Sequence, residues 1–377
     1  MGRRFIVCGL LSLLALAGVT VAGEVGPAWL QGKVECQDGE GSSLSARWLL
    51  AQQRQAAARS GLLLAGYAFN ARPRVQLDHR TYNCPSPRLV EVDIGGERLT
   101  ANGHDFNENF FDTTDDRSLP AKPASPASPR MGIILLFKRE RNGWAAIDAG
   151  VLSRAIGYRF SSMPIYWLGE SESQESYRFL KEIFLAGRCR QRLLLPLALQ
   201  PIKEVWEFLA DIARGSHPLA LRKDAIFWIG AFKEADGLRQ LRLLQSRQLE
   251  VELRKQLVFS FYLNGSDEAL TQVLALAKKG EHAEIRREAI FWLGQAAAVR
   301  SAPALREIID GDDDRSLKKH AVFALSQLPT EQSFPALMDI ARRHADAEIK
   351  KTAIFWLGES GDPRALDFFE EILGLKH

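Results

Sequence analysis

LRKDAIFWIG at 221–230 returns as LRKQLVFSFY at 253–262, IRREAIFWLG at 285–294, LKKHAVFALS at 317–326 and IKKTAIFWLG at 349–358. Successive copies begin 32 residues apart without drift. A weaker copy, CRQRLLLPLA, stands one period earlier at 189–198, and a further one, PIYWLGE, begins at Pro164 with shortened spacing. Each core is followed by a second amphipathic stretch, as in Ala304–Ile309, Phe334–Ala341 and Ala365–Leu373. A period of this size is one helical hairpin. Hairpins that cannot bury their apolar face alone stack on their neighbours, which predicts a solenoid of about seven units over 156–377.

At about 100° per residue, Leu221, Ala225, Trp228 and Ile229 share one stripe with Ile226 on its flank, whereas Lys223, Phe227 and Gly230 fall away from it. Two patterns run along the array. The position of Trp228 alternates large and small: Trp167, Pro196, Trp228, Ser260, Trp292, Ala324, Trp356. Gly169, Gly230, Gly294 and Gly358 accompany the Trp units, so the effective repeat is 64 residues. Indoles filling volume left by a neighbour's small side chain would account for the alternation as core packing. The second pattern is Phe227, Phe259, Phe291, Phe323 and Phe355, with Tyr166 as an upstream counterpart. One turn before each Phe lies a base: Lys223, Lys255, Arg287, Lys319 and Lys351. Stacked helices would turn these into a strip of cations and rings. That strip is either a docking surface for an extended partner or aromatic packing between units capped by the bases.

The cores resemble HEAT repeats of the short phycobilisome-lyase-like class, in which a hydrophobe and an Arg open the first helix and Leu-Gly closes it. The resemblance implies stacked antiparallel helix pairs in a right-handed superhelix. It implies no single activity, because relatives include lyases, hydroxylases and plain scaffolds. The Phe position is usually polar in such repeats. Arg222, Arg254, Arg286, Lys318 and Lys350 occupy the family's Arg position and are expected to pair with acids such as Glu250, Glu252, Asp313 and Glu348. Deoxyhypusine hydroxylase, a catalytic relative, binds two irons through His-Glu dipeptides. Lys223–Asp224, Lys255–Gln256, Arg287–Glu288, Lys319–His320 and Lys351–Thr352 stand at those positions here, and ammonium groups repel iron. His217, His282 and His344 precede three repeat helices and read as solvent-facing loop residues.

Upstream of the repeats, 24–155 reads as a small α+β module. Ser45–Ser60 has helical spacing, and Leu62–Phe69 and Leu89–Ile94 read as strands, with Gly95–Gly96 as a turn. Met131–Arg139 and Trp144–Val151 flank Asn142–Gly143, a strong hairpin signal. Leu119–Arg130 (LPAKPASPASPR) reads as an extended loop. Asp112, Asp115 and Asp116 lack the spacing of a calcium loop.

Arg3 and Arg4 precede an apolar run from Phe5 to Val21, and Ala22 and Gly23 are small. That is the pattern of a secretory signal peptide over 1–23, the other reading being a retained membrane anchor. Its removal takes two of 49 basic residues against 46 acidic ones, leaving a near-neutral chain with no charge-based claim on nucleic acid. In an oxidising compartment Cys36 and Cys84 are expected to form a disulfide, the other reading being two free thiols; Cys189 is expected to be a buried small hydrophobe.

The expectation from sequence is a mainly α protein: an α-solenoid behind a small α+β module. Its expected role is an exported, non-catalytic scaffold, periplasmic or secreted. It would bind a protein or peptide partner along the repeats, needing no cofactor and, once cleaved, no membrane. The competing expectation is an accessory lyase-type enzyme with its site in the N-terminal module or the solenoid's concavity.

Overall fold

The computed structural model describes residues 27–36, 42–56, 60–73, 90–95, 97–101, 104–105, 130–154, 157–280, 282–296 and 300–373. The expected signal peptide, the acidic and Pro/Ser-rich segments of 106–129, Gly96 and Cys84 lie outside them. Through Cys84, so does the expected disulfide.

The N-terminal module contains β1 (Leu30–Cys36), α1 (Leu44–Ala56), β2 (Leu62–Asn70), β3 (Val90–Gly95), β4 (Arg98–Ala101), β5 (His104–Asp105), β6 (Arg130–Glu140), β7 (Gly143–Ser153) and β8 (Tyr158–Glu170). They form one mixed sheet in the order β5-β4-β3-β8-β2-β6-β7, with β1 also on β8. The spine is β8, which pairs in parallel with β1, β2 and β3. Alternation divides the sheet's side chains between two cores. Leu63, Ala65, Tyr67, Ile133 and Leu135 face the helices. Leu64, Ala68, Ile134, Leu136, Ile165 and Trp167 close on Val90, Leu99 and Phe160.

PIYWLGE, expected to open the repeat array, is the C-terminal half of β8. It has the residues of a repeat core but also the β-branched and aromatic content of a strand, and partners on both edges decide the matter. Pro164 has no N–H to give and sits where the pairing with β1 skips from Phe160 to Ile165. Tyr166 and Trp167 are accordingly strand residues paired with β1 and β2, not members of the helical Phe and Trp columns. The Tyr166 hydroxyl donates to Gln55 Oε1 at 2.8 Å, and Trp167 packs edge-on against Trp29 at 5.3 Å. The β6–β7 hairpin is present, but Glu140 pairs with Gly143, so Arg141 and Asn142 form its turn. Gly143, at φ +125°, supplies the positive angle next to that turn.

Thirteen helices follow among the described residues. The first, α2 (Ser173–Ala186), is the second helix of a unit whose first helix is replaced by β8. Six pairs then stack: α3 (Arg190–Ala198) with α4 (Glu204–Arg214), α5 (Leu219–Gly230) with α6 (Ala235–Gln245), α7 (Val251–Asn264) with α8 (Asp267–Lys279), α9 (Ala283–Gln295) with α10 (Ser301–Gly311), α11 (Arg315–Ser326) with α12 (Thr330–Arg343), and α13 (Ala347–Glu359) with α14 (Arg364–Ile372). The expected stripe is buried: Leu221, Ala225, Ile226 and Ile229 lie inside, as do their counterparts in α7, α9 and α11. Module and array share one continuous core through α2.

Gly230 is buried rather than turned away. A Cβ added there would stand 2.5 Å from the Ser260 carbonyl oxygen and 2.8 Å from its Cα. Gly294 meets Ala324 in the same way, at 2.6 and 2.9 Å. The small residue of one unit therefore faces the glycine of the unit before it, and two first helices touch backbone to backbone. The indoles go elsewhere: Trp292 lies 4.6 Å from Phe259 and 4.7 Å from Tyr262, and Trp356 lies 5.0 Å from Phe323. The 64-residue period is packing, as expected, but it alternates a glycine contact with an aromatic one.

Gly294→Ala should lower stability by about 1–3 kcal/mol through overpacking, read as a lower urea midpoint. Gly311→Ala, where nothing lies within 4 Å of the added methyl, should be neutral or slightly stabilising. Equal stability of the Gly294 variant and the wild type would refute the backbone contact.

Candidate functional site

The structure brings the five sequence-predicted phenylalanines onto one face of the first-helix layer, each part-buried except Phe355, which is 56% exposed. The rings are in contact. Phe227 stacks on Phe259 at 6.1 Å and 19°, Phe259 reaches Trp292, and Trp292 meets Phe291 edge-on at 5.0 Å. A second run joins His320, Phe323, Trp356 and Phe355 at 5.0–5.9 Å. The rings thus pack between units and also keep solvent-facing edges. Trp228, Trp292 and Trp356 belong to this ladder although they read as core, and Tyr262 joins it unforeseen. Tyr262 fills the glycine position in a unit without that glycine, which is the signal that could have found it.

The bases are less available than the rings. Lys255 donates to Glu252 at 3.2 Å and lies 3.0 Å from Glu284 of the next unit. Those hydrogen bonds, the one to Glu284 first, raise the Lys255 pKa, and Lys255 in turn lowers that of Glu284. Lys319 reaches Glu348 of the next unit at 3.0 Å, and Lys351 shares the same carboxylate at 3.1 Å. Lys255 and Lys319 therefore staple one unit to the next. Lys223 is half-buried and Arg287 exposed.

The family Arg position works through a different contact from the one expected. Arg222 pairs with Glu250 at 2.8 Å as expected, but its Nε also donates to the Ala213 carbonyl at 2.9 Å. Arg286 Nε likewise donates to Ala277 and Lys350 to Arg342. Each closes a free carbonyl in the last turn of the preceding second helix. Glu252 and Glu348 serve the other row of bases, and Arg286 pairs with Asp312.

On the second-helix layer the lateral contacts are ionic. Lys278 pairs with Glu307, Arg306 with Asp339 at 2.6 Å, and Arg342 with Glu371 at 2.6 Å. The two layers thus differ in chemistry, one aromatic and one charged.

The histidines divide. His282 is exposed at the start of α9, as expected. His344 is 9% exposed, accepts from the Asp346 N–H at Nδ1 (3.0 Å), and its Nε2 lies 3.3 Å from the Ile309 carbonyl. It is a structural tie rather than a solvent-facing loop residue. His320 is half-buried, and its Nε2 has no hydrogen-bond partner among the described residues. Burial, and then the nearby Arg287 charge, hold its pKa below the ordinary histidine value. Cys189 is buried as expected, and burial pushes its thiol up to about 12, which leaves it unreactive. No group of three His, Cys, Asp or Glu suited to a metal occurs among the described residues, and no described helix is long and apolar enough to cross a membrane.

A hollow lies in the module. A groove of about 470 Å³ is lined by Trp48, Phe137, Trp144 and Phe179, with Glu140 and Arg188 paired at 2.9 Å on its rim. It is open, and Glu182 also lines it.

The stacked antiparallel helix pairs define an α-solenoid. More particularly, residues 269–343 and 302–377 match the family described as HEAT repeats, and the chain carries HEAT repeats there. Among solved structures it is similar to YibA of Escherichia coli, with 16% identity over 53% of this chain and 76% of that one, at a TM-score of 0.31. It is also similar to the complex of CpcE and CpcF of phycocyanin lyase from Nostoc sp. PCC7120, with 15% identity over 52% and 80% and a TM-score of 0.26. The search of curated proteins returns no match.

His320 generates a pH prediction. Its folded pKa is depressed, so the folded state favours the neutral ring and the unfolded chain takes up the proton first, near pH 6.5. The contribution is present in full above that value and is lost as pH falls through it toward the lower folded pKa. His320→Gln should remove this part of the slope between about pH 7 and 5 in urea midpoints, and identical slopes would contradict the assignment.

Proposed function

We propose that the chain is an exported, non-catalytic scaffold that holds an extended protein segment against the aromatic ladder of its first-helix layer. The observation that carries this reading is ring contact from Phe227 to Phe291 and again from Phe323 to Phe355, with every phenylalanine keeping solvent exposure. Surface ion pairs like those on the second-helix layer are the ordinary cover of a soluble helix and contribute little. An aromatic track is costly to leave facing water, and flat rings offer large contact area at small entropic cost.

The bases take a smaller part in this proposal than the sequence suggested. Lys255 and Lys319 already hold Glu284 and Glu348, and Lys351 shares Glu348, so Lys223 and Arg287 are the cations that would meet acids on the partner, at the edge of the aromatic contact.

A chain carrying Phe259→Leu, Phe291→Leu and Phe323→Leu keeps apolar volume at these positions and loses the flat faces. A partner captured from cell-envelope extract by the wild type and then purified should shift the emission of Trp292 and Trp356, and should bind the variant at least about tenfold more weakly. Equal binding by a variant with an unchanged circular dichroism spectrum would sink the ladder reading.

Export and the Cys36–Cys84 disulfide belong to the same proposal. Protein recovered from the envelope should begin after Ala22 or Gly23 and, before reduction, weigh about 2 Da less than after it. Retention of residues 1–23 would favour the anchor instead.

A further inference from the structure

Position by position, the sixth helix pair departs from the five before it. Ile226, Val258, Ile290 and Val322 are fully buried, yet their equivalent Ile354 is only half-buried. Gly230 and Gly294 lie under the next first helix, whereas Gly358 is exposed and an added methyl would meet only the Phe369 ring, at 3.9 Å. On the second helix, Phe334, Ile340 and Ala341 are buried, but their equivalents Leu366, Ile372 and Leu373 are 67%, 43% and 68% exposed. Among the described residues, the outer side of the sixth pair presents the apolar surface of an inner interface.

We propose that this face binds the same face of a second copy, forming a twofold dimer with α13 antiparallel to α13 and α14 antiparallel to α14. The argument is self-complementarity. Lys351, Phe355 and Glu359 recur at four-residue spacing on one side of α13. An antiparallel copy centred on Phe355 sets Lys351 against the other chain's Glu359 on both sides of the axis, with the two rings meeting at it. The same centre sets Gly358 opposite Thr352, so the close approach made inside the array at Gly230 and Gly294 is available here too.

On α14, Leu366 and Leu373 are symmetric about a point between residues 369 and 370. That point lies about 8 Å from the start of α14, and Phe355 lies about 6 Å from the end of α13, at 1.5 Å per residue. The two centres are level within the hairpin, so one axis perpendicular to the helices serves both. Isologous pairing requires this of a surface; binding to an unrelated helix does not. Lys351 also continues an interface already present. Lys255 and Lys319 each hold an acid of the following unit, and Glu359 of the second copy would stand in for the one Lys351 lacks.

Two helices side by side present roughly 400 Å² to a flat partner, about half of what a standard interface buries on each side. The dimer should therefore be concentration-dependent. Sedimentation velocity of the full chain from roughly 1 to 100 µM should show the mass rising from one chain to two. Lys351→Glu and Glu359→Lys should each weaken association about tenfold, since the axis applies each repulsion twice, and the double variant should recover it. Both positions are on the surface, so folding is not at risk, and no other protein is needed, which separates this test from that of the ladder. A single-chain mass at every concentration, single variants that dimerise as the wild type does, or a double variant that fails to recover would each overturn the proposal.

Discussion

At Gly230 and Gly294 two first helices come together with no side chain between them, and the spacing of the array depends on that contact. A methyl group at either position would overlap the backbone of the next unit. The glycine is therefore tied to a small residue 30 positions later, Ser260 or Ala324, and the pair of units becomes the true repeat. Between one such pair and the next, Trp292 stands against Phe259 and Tyr262, and Trp356 against Phe323. A ring needs room that a backbone contact does not, so tight and wide interfaces alternate. The aromatic ladder follows from this alternation: rings that fill the wide interfaces reach the solvent edge, where they meet the phenylalanines of the neighbouring helices.

Fixing the array to the module takes a few buried cations. Arg72, just past β2, donates from Nε to the Ala198 carbonyl (2.7 Å), from Nη2 to Ile202 (2.8 Å) and from Nη1 to both oxygens of Glu234. Its guanidinium lies 4.0 Å above the Trp206 ring, whose own N–H donates to Glu234. One side chain thus joins the end of β2 to α3, the α3–α4 turn and the start of α6. Arg47 does the same for β8, donating to the Leu168 and Glu170 carbonyls beside Glu175. Guanidinium suits such joints because its fixed fork can satisfy several carbonyls at once.

The repeat register, the buried stripe and the β6–β7 hairpin were legible because each rests on residues close in the chain. PIYWLGE was misread for the opposite reason. Its likeness to a repeat core is local, whereas the partners that make it a strand come from residues 30–36, 64–68 and 90–92. Gly230 was misplaced because a helical wheel shows which residues share a face but not how near the next helix stands. The carbonyl-closing role of Arg222 and Arg286 was hidden too, since a sequence displays acids and bases but no free carbonyls. Of the candidate site, the five phenylalanines and their bases were legible as a column. That Lys255 and Lys319 are consumed by inter-unit pairing was not.

The difference between the two layers bears most directly on function. A solenoid could be held together by either kind of lateral contact, and this one uses both, kept apart. Lys278–Glu307, Arg306–Asp339 and Arg342–Glu371 lace the second helices with groups that water already solvates well. The first helices use rings whose burial is incomplete, a state that packing alone would not favour, because leucine or alanine at the Phe positions would expose less. The phenylalanine recurs in all five strong units, while the small-or-Trp and Gly-or-other positions change from one unit to the next. The aromatic edge is thus as constant as the buried stripe while the interface beside it alternates, and the docking proposed above would account for that constancy.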